Sequence, residues 1–122
     1  MPRAVLEQDR IHPSAQLRIS DSHRDIVDEV QRAIAENDVV VVGMKQNPHP
    51  RRVRAALKRA GIDCRYLEYG SYLGCWRRRN ALKMWTGWPT FPMVFVKGVL
   101  VGGADETIAL IQSGELQRTL ER

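Results

Sequence analysis

The spacing of hydrophobic residues changes along the chain, and each change predicts a new element. Apolar residues at intervals of three and four predict a first helix that is capped by Asp21 or Ser22 and ends near Asn37. From Val39 to Met44 the residues are mostly β-branched and uninterrupted. Such a run, bounded by turn residues, is typical of a strand buried on both faces, so a central strand is expected here.

Turn residues define the next two elements. Asn47 stands before a proline, an arrangement that suits a helix cap, and a helix is expected from about Pro50 to Ala60. Gly61 ends this helix. The alternation from Asp63 to Tyr69 predicts a second strand, so the order to this point is β-α-β.

The last part of the chain predicts a helix, a hairpin and a closing helix. The helix is expected to direct four residues inward: Trp76, Ala81, Leu82 and Trp85. Strands over residues 92–96 and 99–101 flank Lys97-Gly98, a two-residue hairpin signal. A final helix opens at 102–105 and ends near Gly114. The full order, α-β-α-β-α-β-β-α, predicts an α/β fold.

Length and composition fit one globular domain. The chain has 122 residues, of which 43% are hydrophobic. Residues 1–20 show few periodic apolar positions and are interpreted as an N-terminal arm, with the compact domain over 21–122. The longest apolar run is far shorter than the roughly 20 residues that span a bilayer, so no membrane association and a cytoplasmic location are expected. The oligomeric state is left open.

Charge is unevenly distributed. The net charge is +5, and the basic residues form two clusters. The first comprises Arg51, Arg52, Arg54, Lys58, Arg59 and Arg65, and the second comprises Arg77, Arg78 and Arg79. Anionic ligands and acidic protein partners are therefore plausible. Nucleic acid is not expected, because no aromatic residue is interleaved with the cations from 51 to 59.

Two motifs in the predicted order carry a family resemblance. The element order, Trp88-Pro89-Thr90-Phe91-Pro92 and Gly102-Gly103-Ala104-Asp105 together resemble the glutaredoxin family, particularly its monothiol branch. The resemblance covers about residues 22–116. It implies a thioredoxin-like fold, in which a central four-stranded mixed sheet is flanked by helices. It also implies glutathione-dependent disulfide chemistry and a role in cell redox homeostasis.

The cysteine that defines this family is missing. Asn47-Pro48-His49-Pro50 occupies the place of the family's cysteine motif, so Asn47 stands at the position of the nucleophile. Disulfide exchange requires a thiolate, and an amide provides no sulfur. The cluster-bridging thiolate is absent for the same reason, so an iron–sulfur cluster is not expected. No catalytic residue and no metal ligand are assigned.

The resemblance implies that the glutathione-binding residues are retained. Lys45 and Arg79 would attract the glycine carboxylate of glutathione, and Phe91 with a cis Pro92 would present backbone to its cysteinyl amide. The γ-glutamyl end would be held at Gly103, Ala104 and Asp105, at the positive end of the last helix. Glutathione, or a glutathionylated or acidic protein, is the expected partner of a redox-inactive module.

Two alternatives remain open. One is a displaced nucleophile for glutathione-dependent thiol transfer, for which Cys75 beside the arginines is the better candidate and Cys64 the weaker. The other is a basic protein-interaction domain built on the helix from Arg51 to Arg59. His49 lies beside the vacated position, but a lone histidine between two prolines is more often a simple turn residue.

Overall fold

The computed structural model describes residues 3–21, 23–70 and 76–121. Within these ranges, a short 3-10 turn, Gln8–Arg10, precedes six helices and four strands. The helices are α1 (Pro13–Asp21), α2 (Arg24–Glu36), α3 (Pro48–Arg59), α4 (Trp76–Thr86), α5 (Ala104–Ser113) and α6 (Glu115–Glu121). The strands are β1 (Val39–Gly43), β2 (Arg65–Glu68), β3 (Met93–Val96) and β4 (Val99–Gly102).

The four strands form one mixed sheet in the order β2-β1-β3-β4. β1 runs parallel to β2, with Val40 opposite Arg65, and antiparallel to β3. β3 and β4 form the hairpin expected at Lys97-Gly98, where both residues have positive φ, as a tight hairpin turn requires. The predicted four-stranded mixed sheet is thereby confirmed.

The central strand β1 is buried on both faces, as predicted. Val40 and Val42 face one cluster of core side chains, which includes residues of α2 and α4. Val39 and Val41 face a second cluster, which includes residues of α3 and α5. Alternation along a strand sends successive side chains to opposite faces, so a continuous run of valines fills both layers.

Several predicted boundaries and orientations are corrected. The N-terminal arm contains α1, none of whose residues is buried. A helix with no buried face does not need the regularly spaced apolar residues from which a helix is predicted. Asp21 belongs to α1 and does not cap α2, whose first turn follows His23; Ser22 lies outside the described residues. Trp76 is 51% exposed instead of facing inward. Trp85 is 38% exposed, and its ring is tilted by 33° to that of Phe95 with 6.0 Å between the ring centres.

No helix in the described part of the chain is both long and apolar enough to cross a bilayer.

Candidate functional site

A cleft lies between the start of α3, the loop before β3 and the start of α5. Its volume is about 440 Å³, within the range typical of small-molecule sites. Five of the seven residues expected to bind glutathione line it: Phe91, Pro92, Gly103, Ala104 and Asp105. The Phe91–Pro92 peptide bond is cis, as predicted. The topology therefore brings together residues that are separated by more than ten positions in the sequence.

Asn47 joins two walls of this cleft through its side-chain amide. Its Oδ1 accepts a hydrogen bond from the backbone N–H of His49 at 2.9 Å, which caps α3. Its Nδ2 donates to the carbonyl oxygen of Phe91 at 3.2 Å. Asn47 thus uses both ends of its side-chain amide to hold α3 against the loop that contains the cis proline.

A chain of polar contacts crosses from α3 to α5. A guanidinium nitrogen of Arg52 lies 3.0 Å from a carboxylate oxygen of Asp105, and another lies 2.8 Å from Nδ1 of His49. Arginine can only donate, so Nδ1 of His49 is the acceptor in this contact. Because these groups are exposed, the ion pair contributes little to stability. The ion pair matters for the position of Arg52, which lies against the Asp105 carboxylate that is expected to receive the γ-glutamyl ammonium group.

The start of α5 forms the third wall of the cleft. Gly103 precedes the helix, and its N–H donates to the side-chain carboxylate of Glu106 at 2.9 Å. The positive end of the helix dipole faces the cleft at Ala104 and Asp105. An anionic group of a ligand would therefore use the amides after Gly103, because the Gly103 amide is already satisfied within the chain.

The two basic residues expected to bind the glycine carboxylate lie outside the cleft lining. The Arg79 side chain is buried and donates to the carbonyl oxygen of Tyr69 at 3.0 Å. Lys45 is exposed at the end of β1. Lys83 lines the cleft instead, with its ammonium group 5.8 Å from the centre of the Phe91 ring. Sequence reasoning missed Lys83, although it lies one helical turn after Arg79.

Cys64, one of the two candidate displaced nucleophiles, does not line the cleft. Cys64 precedes β2 and lies beside the beginning of β1, whereas the cleft is formed beyond the end of β1. Burial raises the pKa of its thiol, although the nearby Arg54 lowers it in part. Cys75 lies outside the described residues. Among the residues that the structure describes, no group of three metal-ligating side chains occurs.

A four-stranded mixed sheet with a cleft at the cis-proline loop and at the start of α5 defines a thioredoxin-like protein. The family model described as Glutaredoxin matches residues 39–101. A crystal structure of wheat glutaredoxin superimposes with a TM-score of 0.70 at 30% identity, covering 82% of this chain and 96% of that one. The fold predicted from the sequence is thereby confirmed.

Curated relatives agree with this assignment. A "Glutaredoxin-like protein" of Dictyostelium discoideum is 46% identical over 104 residues, covering 85% of each chain. "Monothiol glutaredoxin-S11" of Oryza sativa subsp. japonica is 33% identical, and the match covers 90% of this chain but 24% of that protein. The chain belongs to the glutaredoxin family.

Proposed function

We propose that this glutaredoxin-like protein binds glutathione, or a glutathionylated partner, without catalysing disulfide exchange. One observation supports the proposal: the amide of Asn47, which the family resemblance assigns to the nucleophile position, forms two hydrogen bonds that hold the cleft walls together. The surrounding cleft nevertheless keeps the polar features that suit a peptide with a carboxylate at each end.

The charges around the cleft support a zwitterionic tripeptide. Lys83 offers an ammonium group to the glycine carboxylate, and the start of α5 offers N–H groups to the γ-glutamyl carboxylate. The carboxylate of Asp105 would bind the ligand ammonium group, and this contact would replace its exposed ion pair with Arg52. An iron–sulfur cluster does not fit this cleft, because the described lining contains no thiol and such clusters require cysteine thiolates.

Glutathione binding is tested by titration of the fluorescence of Trp88, which lines the cleft. Reduced glutathione is expected to bind saturably, and Asp105→Ala and Lys83→Ala are each expected to weaken binding about threefold to tenfold, as loss of one partly exposed charged contact does. Lys45→Ala tests whether the exposed lysine at the end of β1 contributes as the family resemblance implies. Loss of the fluorescence change in Trp88→Phe would show that the signal comes from the tryptophan that lines the cleft.

The matched control for Asp105→Ala is Asp25→Ala. Asp25 also forms an exposed ion pair, with Arg78 at 2.9 Å, but it lies on α2 and does not line the cleft. Its replacement should leave glutathione affinity unchanged. Equal losses in both variants, or no saturable signal at millimolar glutathione, would contradict the proposed binding site.

Absence of turnover is tested separately from binding. The unaltered protein should reduce a small disulfide with glutathione no faster than glutathione alone, because no thiol lies in the described cleft. Cys64→Ser, Cys75→Ser and the double variant should leave that rate unchanged. Clear turnover that disappears with one of these substitutions would establish the displaced-nucleophile alternative instead.

A further inference from the structure

Helix α3 concentrates positive charge without any acidic residue. Its twelve residues include five cations: Arg51, Arg52, Arg54, Lys58 and Arg59. In the described part of the chain, Arg52 is the member of this set that forms an ion pair with a carboxylate. Cations at intervals of three and four residues on one helix repel each other and destabilise it. An anion bound beside these cations would reduce their mutual repulsion, so the helix favours anion binding.

Three of these cations share a groove with the turn that leads into β2. Arg51, Arg54 and Lys58 form one wall, and Ile62 and Cys64 lie opposite them, in a groove of about 520 Å³. All three cations are exposed. Asp63 contributes the one carboxylate to the described lining, so the groove is positive overall. The groove is distinct from the cleft, which contains none of these residues.

The dimensions and surface of the groove favour a short acidic peptide over nucleic acid. Arg51 and Lys58 are seven residues apart, about 10 Å along a helix, a length that about three to four residues of extended peptide would cover. The Arg54 guanidinium covers one face of the Tyr66 ring, 4.0 Å from the ring centre, so that face is not available for stacking a base. Guanidinium groups suit carboxylates, which they bind in a paired geometry.

We propose that the groove formed by Arg51, Arg54 and Lys58 binds an extended acidic segment of a partner protein, independently of the glutathione cleft. The partner is defined by closely spaced glutamate or aspartate side chains. Ile62 provides a half-buried apolar floor for the methylene groups of those side chains.

The experiment measures binding of a fluorescein-labelled oligoglutamate peptide by fluorescence anisotropy. The triple variant Arg51→Gln/Arg54→Gln/Lys58→Gln should weaken binding at least about tenfold, the effect of 1.4 kcal/mol shared among three surface contacts. The control triple variant Arg18→Gln/Arg32→Gln/Arg118→Gln removes the same charge from exposed positions elsewhere. It should retain most of the affinity.

Three outcomes would overturn the proposal. Equal weakening by both triple variants would show that net charge alone attracts the peptide. Tighter binding of an oligothymidylate of the same charge, lost in the groove variant, would identify nucleic acid as the ligand. Absence of any binding to the unaltered protein at low salt would remove the site. A thermal melt guards against misfolding: the groove variant loses mutual repulsion but also the contact of Arg54 with the Tyr66 ring, so its melting temperature should stay close to that of the unaltered protein.

Cys64 locates the bound peptide without any substitution in the groove. In a Cys75→Ser background Cys64 is the one remaining thiol of the sequence, and it lines the groove. Saturating oligoglutamate should slow its alkylation by iodoacetamide severalfold, whereas S-methylglutathione, which has no free thiol to consume the reagent, should not. Unchanged alkylation with peptide bound would place the peptide elsewhere and contradict the proposal. Because the glutathione titration uses other residues, either proposal can fail while the other stands.

Discussion

Replacing Asn47 with cysteine is expected to give this protein glutathione-dependent disulfide reductase activity. The new thiolate would lie at the start of α3, where the His49 N–H that now donates to Asn47 could donate to sulfur. Such a position lowers a thiol pKa from about 8.5 toward 7, which raises the thiolate fraction at pH 7 about tenfold or more. The thiolate would attack a substrate disulfide, and two glutathione molecules would supply the electrons that complete the reduction.

The rate of disulfide reduction is compared with that of Asn47→Ser. Serine can still cap α3. Neither variant keeps the hydrogen bond that the side-chain amide of Asn47 donates to the Phe91 carbonyl oxygen. Both variants therefore lose the same hydrogen bond to the Phe91 carbonyl oxygen, and at position 47 one has a thiol where the other has a hydroxyl group. We expect a rate at least about tenfold above that of Asn47→Ser, with an alkylation profile that titrates below pH 8.5. Equal rates would show that the cleft cannot present a thiol to a disulfide, whatever residue stands at position 47.

The largest loss of stability is expected from Gly102→Ala. Gly102 has φ +124°, a conformation that side chains rarely adopt, and an added Cβ would come within 2.9 Å of Cβ and Cγ of Glu106. Backbone strain and overpacking together should cost about 3 kcal/mol of unfolding free energy. The Glu106 side chain that accepts from the Gly103 N–H would also be displaced. Glutathione affinity should therefore fall along with stability.

Gly61→Ala is the matched control for this substitution. Gly61 also has positive φ, +74°, but an added Cβ would meet nothing within 4 Å. Its cost should be limited to backbone strain of about 1 kcal/mol. Urea denaturation of both variants measures the difference, which combines the crowding against Glu106 with the greater backbone strain at φ +124°. A similar decrease in the free energy of unfolding of the two variants would mean that the start of α5 shifts to accommodate the added methyl group, which would contradict the prediction.

Local signals explain which elements could be predicted from the sequence. The run of valines in β1, the Asn47 cap and the Lys97-Gly98 turn each specify their structure within a few residues, and the structure confirms all three. α1 buries no residue, and α6 has seven residues with Leu116 as its buried member. Neither helix offers a periodic pattern long enough to be predicted.

Contacts between distant parts of the chain explain the rest. Three consecutive arginines, 77–79, look equivalent in sequence, and the rotation of α4 against the sheet decides that Arg79 is the buried one. Its burial leaves Lys83 to line the cleft. Likewise, the pairing of Arg52 with Asp105 spans 53 positions and depends on how α3 packs against α5. No local pattern in the sequence indicates either arrangement.

The two hydrogen bonds of Asn47 have a consequence for the conditions under which the cleft keeps its shape. A cysteine at the same position would exist as thiol, mixed disulfide or oxidised acid, and each form would place different atoms at the start of α3. An amide has none of these forms. The geometry that joins α3 to the Phe91 carbonyl is therefore the same in an oxidising and a reducing compartment, and ligand affinity at this cleft should not vary with the ambient redox potential.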